Sequence, residues 1–407
     1  MRPTLSLLVG VLAVVRANHV PGRAFDRFIS IWLENQVGQP QPTFHYRQTP
    51  LADVFDLQDF VKVVKDSHIV ELKKQGISLA RYYAQTHPSQ ANYIAAITGD
   101  YFGLDHDERV RLPFNVSTIV DLLDWRNLTW KAYMEDMPGP GFLADASDGH
   151  TGGGKWDYVR KHNPFVSCDS INLNGSRLLN VQAFDDWEAD FKAKKVPQYA
   201  FIAPNMMNDG HNTSLEYATK WASDFLKPLL EDTAFKERTL ILLTYDESED
   251  HGKPNQVASV LLGSAIPKDR RGGEDKTFYT HYSILSTIEY NWELPNLGQY
   301  DVGANVFQFV QDLGSKVLVA NKDPPNIVSV DNSQSYFGPL SKDKSKFRPY
   351  PPPNLGLNGS SGLPILEQIR LKWIFHGGDT PYDGEGTLFD ARYQPQYLPQ
   401  VAVKQGA

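Results

Sequence analysis

The chain has 407 residues, enough for one large α/β body with extensions or for two to three smaller domains. Hydrophobic residues at 41% and charged residues at 22% are ordinary globular values and exclude a wholly disordered or collagen-like chain. A net charge of −8 argues against a nucleic-acid polyanion as the main partner, and no run reaches the roughly 18 apolar residues that a membrane span needs.

Residues 1–17 read as a secretory signal peptide: Arg2 gives a positive start, Leu5 to Val15 a short apolar core, and Val15-Arg16-Ala17 a small-residue cleavage pattern. Its two arginines gone, the net charge deepens from −8 to −10. Secretion is also the expectation from Asn-x-Ser/Thr sequons at Asn115, Asn127, Asn174, Asn212 and Asn358, each a candidate N-glycan site. A glycan at Asn212 would crowd its neighbour His211. Next, Arg27 to Leu33 alternates and then turns mostly apolar, which predicts a strand running into Glu34-Asn35. Residues 36–70, polar and containing Pro and Gln, read as an insertion. Ser89 precedes a helical run with Ile94, Ala95 and Ile97, and Ser117 reads as the cap of a helix over Thr118 to Leu123. Cys168 is the single cysteine, so no intramolecular disulfide is possible, and no base is evident beside it for a thiol nucleophile.

Tyr199 to Ala203, Leu240 to Leu243 and Val257 to Leu262 are near-continuous apolar runs, the mark of strands covered on both faces. Among them, Ser214 opens an amphipathic helix through Leu229, and Ile284, Leu285, Ile288 and Trp292 line one side of a helix over Tyr282 to Trp292. After about Gly314 this rhythm is lost. Arg348 to Pro353 reads as a polyproline linker, and Leu363 to Phe375 as a short helix packing on the body. The expected organisation is a leader (1–17), a catalytic domain (18–313) and a C-terminal extension (314–407). Strands alternating with helices predict an α/β fold with a mostly parallel central sheet.

In open parallel sheets ligands sit beyond the carboxyl ends of the strands, and unusual polar clusters fall there. Glu34-Asn35 follows the first strand, Asp209-Gly210-His211 the strand at Tyr199, and Asp246-Glu247 the strand at Leu240, while His281 begins a helix. Ser89 opens a helix whose N-terminal N–H groups favour an anion, with Asn92 one turn on as an amide donor to a phosphoryl oxygen. Taken alone, Ser-x-x-Asn reads more readily as an N-cap. As a nucleophile the hydroxyl needs a base or a metal. Glu34, Asn35, Asp246 and Glu247 offer hard oxygen ligands for one divalent cation, suited to Mg²⁺, Ca²⁺ or Mn²⁺ better than to Zn²⁺. The bland account is a solvated strand end at Glu34-Asn35 and an acidic loop from Asp246 to Asp250.

The motifs Asp26-Arg27-Phe28 through Glu34-Asn35, His87-Pro88-Ser89 with Asn92-Tyr93, Ser117 to Leu123, and Tyr133 with Glu135-Asp136-Met137-Pro138 resemble the fungal secreted acid phosphatases. So do Tyr158 to Pro164, Pro204-Asn205-Met206 with Asp209-Gly210-His211, and His281-Tyr282-Ser283. These belong to the phosphoesterase family, which also contains bacterial phospholipases C. The resemblance covers about residues 22–310 and implies an alkaline-phosphatase-like α/β/α sandwich acting on small phosphate monoesters in acid. It implies Ser89 as the nucleophile that forms a phosphoserine, and Glu34, Asn35, Asp246, Glu247 and the Ser89 oxygen as the metal ligands. Asn92, His211 and His281 would contact the phosphoryl group, one His protonating the leaving alkoxide. Asp209 would orient a neighbouring His, and His162 would touch substrate or fix the Lys161-Asn163-Pro164 turn. Ala91 stands where the family usually has Pro. Two alternatives stay open: a phospholipase C or other phosphodiesterase, and a non-catalytic secreted glycoprotein on the same fold. Other hydrolase chemistries lack their signatures, with no Arg-His-Gly, Gly-x-Ser-x-Gly or His-Glu-x-x-His present. His106, in Asp105-His106-Asp107, reads as a surface-loop residue.

Overall fold

The computed structural model describes residues 19–34, 58–147, 157–232, 238–249, 255–314, 332 and 335–384. The leader expected over 1–17, the candidate ligand Asn35 and most of the expected insertion (36–57) lie outside the described residues.

The strands are β1 (Arg27–Leu33), β2 (Ile77–Tyr83), β3 (Trp130–Met134), β4 (Ala146–Ser147), β5 (Tyr158–Val159), β6 (Val181–Ala183), β7 (Tyr199–Ala203), β8 (Thr239–Tyr245), β9 (Ser259–Leu262) and β10 (Gly273–Thr280). Eight form one sheet in the order β10-β2-β9-β8-β1-β7-β3-β6, and β4 pairs with β5 apart from it. Every neighbouring pair in the large sheet is parallel except those made by β9, which runs antiparallel to β2 and β8. β9 follows β8 after residues 246–258 and returns beside it in the opposite direction.

Phe28 to Leu33 and all of β8 are buried. Successive strand side chains point to opposite faces, so both faces of the sheet are covered. On one face Trp32 packs on Tyr93 of the Ser89–Thr98 helix, ring centroids 5.3 Å apart, and Trp130 stacks on Phe165 at 5.8 Å. On the other, Tyr133 meets Trp187 of the Phe184–Lys192 helix, which packs in turn on Phe225 of the Leu215–Glu231 helix. This is the three-layer arrangement expected. Ser214 caps the Leu215–Glu231 helix, its hydroxyl accepting from Tyr217 N at 3.2 Å, and the Tyr282–Trp292 helix has the expected bounds. At the Ile119–Trp125 helix the cap is Thr118 rather than Ser117. Asp121, three residues on, accepts from the Thr118 N–H at 2.8 Å and completes a capping box.

The C-terminal segment packs on the body. Residues 348–353 lie along it, the Tyr350 ring 5.2 Å from Phe102, and the expected short helix forms over Glu367–Trp373 with Ile369 and Trp373 buried. The Ser89–Thr98 helix ends at Gly99, whose φ of +81° suits a residue without Cβ; a Cβ there would lie 2.8 Å from that of Gln299. Asp100 follows, fully buried, and its carboxylate accepts the hydroxyls of Tyr336 and Tyr382. Tyr382→Phe removes one of these charge-assisted bonds and is expected to cost about 1.5–3 kcal/mol, read from denaturant unfolding. An unchanged midpoint would mean that this carboxylate does not hold the tail.

At the end of β3, Glu135 braces the loop after β7: it accepts from Asn205 N at 2.9 Å and from the Asn208 carboxamide at 2.8 Å. Burial pushes its carboxyl from 4.5 up to about 7. Between those values the folded chain holds a proton that the unfolded chain has lost, so stability is fullest in acid and falls as pH rises through that window, by at most about 3 kcal/mol. Glu135→Gln, which cannot ionise, should remove that slope in melting temperature measured from pH 4.5 to 7.5.

Candidate active site

Because β1, β2, β7, β8 and β10 are mutually parallel, their carboxyl ends open on one edge of the sheet. Glu34 follows β1, the His87-Ser89 turn follows β2, Asp209 follows β7, Asp246 and Glu247 follow β8, and His281 follows β10. Backbone bonds fix the ends to one another: Glu34 N donates to Asp209 O at 3.0 Å and Asp246 N to Leu33 O at 3.1 Å. Residues scattered from 34 to 281 are brought together by strand order alone.

Ser89 is the first residue of its helix, not the cap. The cap position is Pro88, and no side chain caps this end. The Ser89 hydroxyl lies 3.1 Å from Glu34 Oε2 and 2.9 Å from Glu247 Oε1, in a pocket where Ser89, Glu34 and Glu247 are all buried. A line of alternating partners extends on either side. Glu34 Oε1 pairs with His162 Nε2 at 2.9 Å and accepts the Tyr93 hydroxyl at 2.8 Å, while His162 Nδ1 faces Asp209 Oδ2 at 3.4 Å. Across the serine, Glu247 Oε2 pairs with His87 Nδ1. Tyr93 is four residues after Ser89, hence on the same helix face, and its ring stacks on His162 at 5.1 Å.

Burial alone would raise the Glu34 carboxyl, but His162 and Lys161 outweigh it and hold it well below the usual range. His162 itself is raised: burial opposes its charge, and Glu34 and Asp209 more than compensate. Asp246 goes the other way, pushed well up by burial and then by the charges of Glu34 and Glu247. Both Asp246 carboxyl oxygens are buried and without a hydrogen-bond partner.

A serine hydroxyl has one hydrogen, so it donates to only one of its two carboxylate neighbours at a time. Two buried carboxyl groups flank it, and a third nearby, that of Asp246, has no ion-pair partner among the described residues, so a proton or a cation would complete the balance there. Among the described residues no three His, Cys, Asp or Glu side chains form a metal cage by themselves, and Asn35 lies outside those residues. The unpartnered oxygens of Asp246 and the all-oxygen donor set nevertheless fit a hard divalent cation.

Two residues expected to contact the phosphoryl group also hold the backbone around the site. The Asn92 carboxamide accepts from Gln85 N at 2.9 Å and Thr86 N at 3.3 Å and donates to Thr86 O at 2.7 Å, so it holds the backbone leading to Ser89. His281 Nε2 meets the Asp246 carbonyl at 2.7 Å and Nδ1 the Tyr82 hydroxyl at 3.2 Å. A carbonyl only accepts, so Nε2 carries the hydrogen and Nδ1 accepts; burial, which lowers this ring to about 4, keeps it neutral. With both nitrogens engaged, His281 supports the Asp246 backbone. His162 likewise spends both nitrogens on Glu34 and Asp209. His211 is half-buried, its N–H donating to Asp209 Oδ1 at 2.8 Å and its Nδ1 3.1 Å from Asn212 Oδ1. Of the sequon asparagines, Asn127, Asn174 and Asn358 are exposed and Asn115 and Asn212 half-buried. Tyr93, His87 and Lys161 were not singled out by their sequence roles. Their neighbours in the quoted motifs, Ser89, Asn92 and His162, were the signal available.

Residues 65–295 match the model of the Phosphoesterase family. The chain is 42% identical over 359 residues to a probable acid phosphatase of Kluyveromyces lactis, covering 87% of this chain and 77% of that protein. It is 39% identical over 375 residues to an acid phosphatase of Aspergillus fumigatus, covering 90% and 78%. Among solved structures, a protein in the alkaline phosphatase superfamily from Vibrio parahaemolyticus aligns with a TM-score of 0.40 at 11% identity, over 65% of each chain. A family model spanning more than half the chain and relatives this similar over most of their length agree with the sheet edge described above: the chain belongs to the phosphoesterase family.

Proposed function

We propose that the protein is a metal-dependent acid phosphatase that hydrolyses small phosphate monoesters through a phosphoserine at Ser89, and that it works outside the cell. The observation that carries this reading is the Ser89 hydroxyl at the first position of a buried helix, between two buried carboxylates. A hydroxyl kept only for stability would not be set between two acids when it can satisfy one. The named acid phosphatases among the relatives support the activity. The apolar start of the chain and its five sequons support export and N-glycosylation.

In the reaction proposed, Ser89 Oγ attacks phosphorus as its proton passes to the carboxylate it already bonds, Glu247 or Glu34. The ester P–O bond breaks, and the leaving alkoxide takes a proton from an acid at the lip, for which half-buried His211 is the candidate. Water then attacks the phosphoserine, the P–Oγ bond breaks, and phosphate leaves. The positive end of the dipole of the Ser89–Thr98 helix favours the developing negative charge. Glu34, Asp246 and Glu247, with Asn35 as the expected fourth, would hold a divalent cation that supplies charge neutralisation and lowers the hydroxyl's pKa. His162, fixed by Asp209, keeps Glu34 ionised and oriented, and Tyr93 does the same from the helix side.

Ser89→Ala is expected to lower p-nitrophenyl phosphate turnover at least about a thousandfold while the melting temperature stays near that of the unaltered protein. Acid-quenched wild-type enzyme should carry one added phosphoryl group on the Ser89 peptide; retained turnover in the variant would reject the serine. Elemental analysis of the isolated protein should find one divalent metal per chain, lost together with activity in Asp246→Asn. A metal-free, active enzyme would remove the cation from the scheme.

A further inference from the structure

We propose that Lys161 is the specificity residue of this site, its ammonium taking the third non-bridging oxygen of a phosphate monoester, the oxygen that a diester has lost to its second ester bond. The inference rests on the phosphatase reading above and names what that site prefers. Lys161 stands directly before His162, in the turn whose histidine pairs with Glu34. Its Nζ lies 3.2 Å from Asp107 Oδ2, and the other oxygen of that carboxylate accepts, at 3.2 Å, the N–H of Gln90, the residue after Ser89. One carboxylate therefore ties the ammonium to the first turn of the nucleophile's helix.

A purely structural account of this lysine is weak. Asp107 is about one-third exposed, and an ion pair to such a partner is worth about 0–1 kcal/mol, little return for enclosing a lysine whose side chain is only 16% exposed. An ammonium has three N–H donors, and among the described residues Asp107 is the one side chain that accepts from it. The remaining donors are available to an anion. Burial opposes the charge, but Glu34, Asp107 and Asp246 overcome it, so the group stays protonated near these acids. A monoester presents three unesterified oxygens, the last ionising near pH 6, where a diester presents two. A cation tied through Asp107 to the residue after Ser89 and held near Glu34 and Asp246 distinguishes the two classes by charge and by hydrogen bonding.

The test compares wild type with Lys161→Gln and Lys161→Arg, using p-nitrophenyl phosphate against methyl p-nitrophenyl phosphate at pH 6.5, with calorimetric binding of inorganic phosphate. Lys161→Gln should reduce the monoester-to-diester ratio of kcat/KM about 10- to 100-fold and weaken phosphate binding by a similar factor, and Lys161→Arg should recover most of both. Equal loss on both substrates, or an unchanged ratio in a folded Lys161→Gln protein, overturns the assignment. If wild-type diester turnover falls below detection, phosphate affinity decides, and an unchanged value in Lys161→Gln is fatal. Wild-type enzyme inert toward every monoester tried would sink the phosphatase reading itself, a result distinct from a failed Lys161 comparison.

Discussion

One proton set between two carboxylates is the constraint on which this site turns. The Ser89 hydroxyl has a single hydrogen and two acid neighbours, Glu34 and Glu247, in a pocket from which water is largely removed. A buried, uncompensated carboxylate costs several kcal/mol, so the surrounding residues are chosen to offset charge. His162 and Lys161 stabilise the ionised Glu34, and His87 stands against Glu247. Asp246 has no such partner, and the cluster is balanced there only by a proton or a cation. The chemistry assigned to the site follows from this imbalance more than from any one residue's identity.

Precision comes from the sheet. The acids are attached to the ends of adjacent parallel strands, with Asp246 N bonded to Leu33 O, so moving one would require shearing the sheet centre. Around them the polar side chains form a supporting ring of buried hydrogen bonds. Asn92 fixes the backbone before Ser89, His281 and Tyr82 fix the carbonyl of Asp246, and Tyr93 joins the helix face to Glu34. Such fully committed groups rigidify a site because breaking any one bond leaves a buried partner unsatisfied.

The sequence was most legible where burial is two-sided. β1, β7 and β8 are mostly apolar because both faces are covered, and their positions follow directly; the bounds of the Tyr282–Trp292 helix follow from its apolar stripe. Strand direction carries no periodicity, so β9 reads as a strand without revealing that it runs backward. β10 opens at the sheet edge with exposed Gly273 and Glu274 and shows no apolar run to read. Within the site, Ser89, Glu34, Asp246 and Glu247 were visible as polar residues at strand and helix ends. The engagement of Asn92 and His281 was not, because residue type suits a phosphoryl contact and a backbone contact equally. Lys161 and Asp107 were hidden for another reason: the bond that gives them meaning joins segments more than fifty residues apart.

Asp100 adds a temporal aspect. It follows the Gly99 cap of the helix that Ser89 begins, yet one of its hydroxyl partners, Tyr382, is separated from it by 282 positions. Synthesis runs from the N-terminus, so a nascent chain would expose this acid long before the tyrosine leaves the ribosome. Until then the acid has the N–H of Phe102 as a donor but neither tyrosine hydroxyl. The charge at the far end of that helix is thus fully enclosed only once the segment carrying Tyr336 and Tyr382 has docked.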